Sequence, residues 1–169
     1  MTDAAVSSFS ARIVEWPVAG PSGEAAFGEL VAEAAADPEL AALVAALSGQ
    51  NVARLLAGVE SGSPYLRGLM RRDLPRLRAI LTRSPEDIFA AWRAELDGAL
   101  AAAEGLPQAM QAVRIFKSNV ALLTGLCDLA GIWPVMTVTR ILTETADAAL
   151  QGSIRFLFRK AAEKGDWLP

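Results

Sequence analysis

The stretch KSNVALLTGLCDLAGIWPVMTVTR, Lys117 to Arg140, decides the fold. Between its two terminal bases the only charge is Asp128. A membrane span needs about 20 uninterrupted apolar residues, and this window approaches that length. An aspartate at a bilayer centre costs about 2.5–3.5 kcal/mol, however, and Asn119, Thr124, Thr137 and Thr139 dilute the remainder. Gly131 and Pro134 also divide the window into the end of one helix and the start of another. Each half, of about 10 residues, has the length of a buried core segment. The pattern predicts a helical hairpin that turns near Trp133, not a span.

Working outward, the first helix of the hairpin is predicted from near Pro107 to about Ala130, ending at Gly131. The second runs from Pro134 to about Lys164, ending at Gly165. Along the second, Val135, Val138, Leu142, Thr145, Ala149, Gly152 and Phe156 recur by threes and fours, a seam suited to close antiparallel packing. Thr145, Ala149 and Gly152 are small, so a neighbouring helix can approach its middle.

Upstream, prolines behind capping residues punctuate a series of shorter helices. DPEL at Asp37–Leu40 supplies an aspartate cap and a proline at the first helical position. Ser48-Gly49 closes that segment, and a short helix around Val52 to Leu56 follows. Ser63 and Pro64 start the next, with Tyr65, Leu66 and Leu69 expected to face inward. Asp73 and Pro75 start another toward Leu77, Ile80 and Leu81. SPED at Ser84–Asp87 is the strongest start signal, since Ser84 can cap and Asp87 can answer three residues on. The helix it opens places Ile88, Trp92, Leu96, Ala99 and Ala103 on one stripe, with Gly105 as its stop. Residues 1–23, rich in Pro and Gly, read as a loosely ordered arm anchored by Ile13, Val14 and Trp16. Residues 24–169 read as one helical domain. The expected fold is all-α: an array of short helices ending in a long antiparallel helical hairpin, with no sheet.

Composition agrees with this and removes several function classes. Of 169 residues, 53% are hydrophobic and 21% charged, a globular balance, and alanine is abundant, favouring helix. The net charge of −3, with no basic tract, gives nucleic-acid binding no electrostatic footing. The chain has no histidine, which excludes Ser-His and Cys-His nucleophile pairs and most zinc sites. Its single cysteine, Cys127, lies in an apolar run, as a buried inert thiol does, and no intrachain disulfide can form. The opening MTDAAVSSFSAR lacks the basic-then-apolar order of a signal peptide, so a cytoplasmic protein is expected.

The hairpin carries two polar ridges. Arg114 and Lys117 lie one turn apart on one face of its first helix. Asp128 shares that face about 16 Å further on, too far to pair with Lys117. On the returning helix Arg140, Glu144, Asp147, Gln151 and Arg155 line up by threes and fours. The spacing allows the ridges to face each other, with Arg140 the nearest candidate partner for Asp128. The plainer reading is solvated surface held by helix pairs worth about 0.2–0.5 kcal/mol each; a functional role is the alternative.

Four segments appear in order: SPYLRGLMRRD at Ser63–Asp73, VRIFK at Val113–Lys117, DLAGIW at Asp128–Trp133, and LTETADAAL at Leu142–Leu150. Together, over roughly residues 60–160, they resemble the amino-terminal helical region of the bacterial glutamine synthetase adenylyltransferase and deadenylylase, alphaproteobacterial branch. The resemblance rests on Ser63, Pro64, Tyr65 and Leu66, on Arg114 and Lys117, on Asp128, Leu129 and Gly131, and on Leu142, Thr143, Ala146 and Asp147. Arg140 is a further scaffold candidate. Two departures stand out: Ser118 and Asn119 occupy positions where many members are basic, and Pro75 falls one residue later than the usual aspartate-proline.

The resemblance implies a parent enzyme that adds AMP to, and removes it from, a tyrosine of glutamine synthetase. It implies Mg²⁺ and ATP or ADP as cofactors, and a nitrogen signal-transduction protein as a second partner. That chemistry needs two carboxylates two residues apart to hold Mg²⁺ at the nucleotide phosphates. No Asp-x-Asp occurs anywhere in the chain. The expectation is therefore an amino-terminal scaffold fragment with no catalytic, cofactor or metal residues of its own, ending in EKGDWLP before the first such motif. The alternative is a free-standing helical interaction module. No membrane and no nucleic acid are expected as partners.

Overall fold

Five of the eight α-helices among the described residues carry a proline in their first turn, and three of those five are also capped by a side chain, so the sequence punctuation becomes the architecture directly. The computed structural model describes residues 7–166. Its helices are α1 (Pro21–Ala35), α2 (Ala41–Leu47), α3 (Gln50–Gly62), α4 (Pro64–Arg72), α5 (Leu74–Thr82), α6 (Pro85–Ala102), α7 (Leu106–Leu129) and α8 (Val135–Lys164). Single 3₁₀ turns lie at Phe9–Arg12 and Pro38–Leu40. No strand occurs among the described residues, and the all-α expectation holds.

The three side-chain caps are those expected. Ser63 Oγ accepts from Leu66 N–H at 3.3 Å, Asp73 Oδ1 from Arg76 N–H at 2.9 Å, and Ser84 Oγ from Asp87 N–H at 3.2 Å. Each satisfies one of the donors a helix start leaves free. Gly105 behaves differently from its expected role as a stop. It precedes α7, where Gln108 Oε1 turns back to accept from the Glu104 and Gly105 N–H groups. The far end of α6 is closed by Arg159 of α8, whose guanidinium donates to the carbonyls of Leu100, Ala101 and Ala103.

The corner between α7 and α8 sits where Gly131 puts it. Gly131 has φ +64°, Ile132 N–H donates to Cys127 O at 2.9 Å, and Gly131 N–H donates to Asp128 O at 3.1 Å, the paired bonds of a Schellman turn. The same pattern ends α8 at Gly165. α7 and α8 pack antiparallel, and no single helix among the described residues is long and apolar enough to cross a membrane. One pair, Pro38–Leu47 with Gln50–Gly62, passes that test jointly but is bent by 96°; its apolar face, with Leu43, Leu47, Leu55 and Leu56, is buried in the core.

Packing joins two groups through a common core. α1 lies on α3 and α2 on α5, while α6, α7 and α8 pack on one another; α4 bridges from α3 and α5 to α7. Arg76 of α5 is buried at that bridge. It donates to Asn119 Oδ1 of α7 at 2.9 Å and to the Leu69 carbonyl of α4.

Several expectations shift. The helix expected around Val52–Leu56 extends over Gln50–Gly62. The first helix opens at Pro21, not Glu24. Of the arm's expected anchors only Ile13 is buried; Val14 is 65% exposed and Trp16 stacks under Arg54, while Phe9, not singled out from the sequence, is completely buried. Phe9 N–H donates to Arg83 O at 2.8 Å, and the N–H groups of Val14 and Glu15 both donate to Ala130 O at the hairpin corner. Residues 1–6 of the arm and 167–169 of the expected helical domain lie outside the described residues. On α6, Leu100 replaces Ala99 in the buried stripe.

Candidate functional site

The site is built by the rotation of α8. Its buried residues are Ile141, Thr145, Ala148, Gly152 and Phe156. At about 100° per residue, this stripe lies some 50° around the helix from the seam read off the sequence. The cause is that α8 serves two neighbours, α6 as well as α7. Gly152 lets it lean onto α6, because a Cβ there would lie 2.5 Å from Leu100 Cδ1.

Positions one residue before the stripe are the polar ridge, and the rotation turns them to α6. Glu144 lies 3.8 Å from Arg93 and Arg155 lies 2.9 Å from Asp97, both across to α6. Arg140 pairs with Glu144 at 2.6 Å within α8. The two polar ridges of the hairpin therefore do not face each other. Asp128 is exposed and forms no ion pair among the described residues, so its candidate pairing with Arg140 does not occur.

Positions one residue after the stripe face α7 across an open groove of about 820 Å³. Its α8 wall is Leu142, Ala146, Ala149, Leu150 and Ser153. Its other wall is Tyr65 and Arg72 of α4 with Arg114, Lys117 and Ser118 of α7. A recess of about 250 Å³ continues it toward Met110 and Leu157, sharing Val113, Arg114, Lys117 and Ser153. Tyr65 is 63% exposed, a correction to its expected inward position. Leu66, Leu69 and Met70 define the buried face of α4, and Tyr65 lies about 100° before Leu66. Tyr65 and Arg72, two turns apart, thus look out on the groove together. Arg72, Arg114 and Lys117 form no ion pair among the described residues.

The other sequence candidates lie away from the groove. Ser63 and Pro64 start α4, Gly131 makes the corner, and Thr143 Oγ donates to Thr139 O at 3.0 Å on the exposed side of α8. Asp147 is exposed, on the α6 flank, with no ion pair among the described residues. The sequence reading missed Glu86. Its carboxylate accepts from Arg12 Nη1 at 2.6 Å, Trp133 Nε1 at 2.8 Å and Ser84 Oγ at 3.2 Å, tying the arm, α6 and the hairpin corner together. Burial alone would raise the Glu86 carboxyl, but the bonds from Arg12 and Trp133 outweigh it and hold the group at about 2. A buried indole N–H needs an acceptor, and that need was the one available signal.

A sequence model of the glutamate-ammonia ligase adenylyltransferase family matches residues 53–167. The chain belongs to this family. Among curated adenylyltransferase relatives, bifunctional glutamine synthetase adenylyltransferase/adenylyl-removing enzymes are similar to it. That of Bradyrhizobium diazoefficiens is 38% identical over 96% of this chain, that of Rhodopseudomonas palustris strain CGA009 39% over 78%, and that of Xanthobacter autotrophicus 36% over 81%. The chain spans only 16%, 14% and 14% of those proteins, respectively. No solved structure matches it. Five of the residues on which the sequence resemblance rests, Tyr65, Arg114, Lys117, Leu142 and Ala146, line the groove. No group of three or more His, Cys, Asp or Glu side chains placed to hold a metal ion occurs among the described residues.

Proposed function

We propose that this chain is a helical scaffold of a bifunctional glutamine synthetase adenylyltransferase/adenylyl-removing enzyme and performs no adenylyl transfer itself. The match along 96% of the chain to a protein so named carries the reading. The chemistry of the groove supports it: cations, one phenol and an apolar wall, without the acid pair that divalent-metal phosphoryl chemistry uses. In this reading Mg²⁺ and ATP or ADP bind to other parts of the enzyme. Glutamine synthetase is the substrate protein, a nitrogen signal-transduction protein sets the direction of transfer, and the setting is cytoplasmic.

The test is direct. Purified chain is incubated with Mg²⁺, ATP and unmodified glutamine synthetase, and separately with Mg²⁺, phosphate and adenylylated glutamine synthetase. The mass of the glutamine synthetase subunit stays constant in both. A gain or loss of one AMP overturns the reading. The open groove also favours a second reading, a free-standing interaction module. A tight partner unrelated to glutamine synthetase or its adenylyltransferase would decide for that one.

A further inference from the structure

The two flanks of α8 differ: on the charged flank Glu144 and Arg155 pair across to α6, while the opposite flank makes no ion pair among the described residues. Leu142, Leu150 and Leu157 stand exposed along it, Leu150 at 61%. They face Arg72, Arg114 and Lys117, three cations without an ion pair among the described residues. An apolar wall beside a basic wall is the complement of one object, an amphipathic helix with carboxylates along one edge. From Leu142 to Leu157 the groove runs about 22 Å, the length of roughly four helical turns. Exposed apolar surface arranged in a continuous strip marks a contact that is made elsewhere. The chain spans 16% of its Bradyrhizobium relative, so most of such a protein is available to supply the helix.

We propose that this groove seats an amphipathic helix with an acidic edge, supplied by the portion of the longer enzyme that lies outside the stretch this chain matches. The inference rests on the reading of the chain as part of such an enzyme. The apolar side of the helix covers Leu142, Leu150 and Leu157, and its Asp or Glu residues meet Arg114, Lys117 and Arg72. Charge sets the register and direction of docking, and apolar burial supplies the affinity.

The experiment compares the isolated chain with a chimera in which this chain replaces the matching stretch of the Bradyrhizobium diazoefficiens enzyme. Leu150→Cys is introduced into both and alkylated with iodoacetamide; native Cys127 is completely buried and stays silent. The Leu150→Cys thiol is expected to react at least tenfold more slowly in the chimera. Arg114→Glu with Lys117→Glu is expected to return the chimera to the isolated chain's rate, with circular dichroism unchanged. Equal rates in the two proteins overturn the proposal, as does protection that ignores charge reversal. Protection in the isolated chain that vanishes on dilution assigns the groove to a second copy and overturns it too. Adenylyl transfer by the chimera is read separately. A protected thiol in an inactive chimera counts against the functional reading alone; an exposed thiol in an active chimera counts against the groove alone.

Discussion

Gly152 and Leu100 meet so closely that any side chain at position 152 must push the leucine's end aside: a Cβ there would lie 2.5 Å from Leu100 Cδ1. This contact fixes the roll of α8 and so decides which flank looks onto α7. Gly152→Val is expected to destabilise the fold by about 1–3 kcal/mol, since overpacking outweighs the small gain in helix propensity. In a Leu100→Ala background the same change should cost markedly less, because the two sites are coupled. Urea midpoints measure both. A cost identical in the two backgrounds removes the contact as its cause.

Glu86 makes stability pH-dependent at the acid end. Its carboxyl lies near 2 in the folded protein, below the ordinary 4.5, so the carboxylate is favoured by folding. Its contribution is complete above about pH 4.5 and is lost as pH falls toward 2. Glu86→Gln is expected to lower stability at pH 7 by about 1 kcal/mol, a modest figure because solvent reaches part of the carboxylate. The difference between the two proteins should shrink through pH 4.5 to 2, measured by thermal melts at each pH. A gap that persists at pH 2 would contradict the assigned role.

Arg76 is buried with its two terminal nitrogens donating to Asn119 and the Leu69 carbonyl, and burial draws its pKa below the usual value against the pull of Asp73. Arg76→Ala leaves two buried acceptors without donors and opens a gap among α4, α5 and α7. The expected loss is about 3 kcal/mol. Lysine, with one point donor in place of a fork, should recover only part of it. Chemical denaturation of the two variants tests the order.

Asp147 and Asp128 are expected to behave as surface residues. Asp147→Ala should change stability by less than about 0.5 kcal/mol. Asp128→Asn should leave it unchanged or raise it by a few tenths, since a negative charge near the carboxyl end of α7 opposes the helix dipole. A melting-point drop of several degrees in either variant would show a partner the geometry does not contain.

What could be read in advance was local. Ser63, Asp73 and Ser84 announce their helices because the cap and its N–H lie three residues apart. Gly131 announces the corner because few other residues take its φ. The roll of α8 was not legible: a 3.6-residue period gives a stripe's existence but not how two neighbours share it, and α6 pulled the stripe some 50° from the simplest hairpin seam. Tyr65 misled for the same reason, an aromatic beside a buried leucine but on the next face. Of the groove, Arg114 and Lys117 were seen to share a face; that they oppose leucines and not the ridge from Arg140 to Arg155 needed the tertiary arrangement. Glu86 and Trp133 are separated by 47 residues, and no local pattern joins them.

The single carbonyl of Ala130 receives the peptide N–H groups of both Val14 and Glu15. During synthesis those donors emerge from the ribosome long before their acceptor does. Phe9 finds Arg83 earlier, but until the corner has been translated and has turned, the N–H groups of Val14 and Glu15 lack their acceptor, and closing so large a loop comes late in folding. A ribosome that stalls before residue 130 would hold out an arm docked at Phe9 but loose at Val14 and Glu15, an opening that proteases can find.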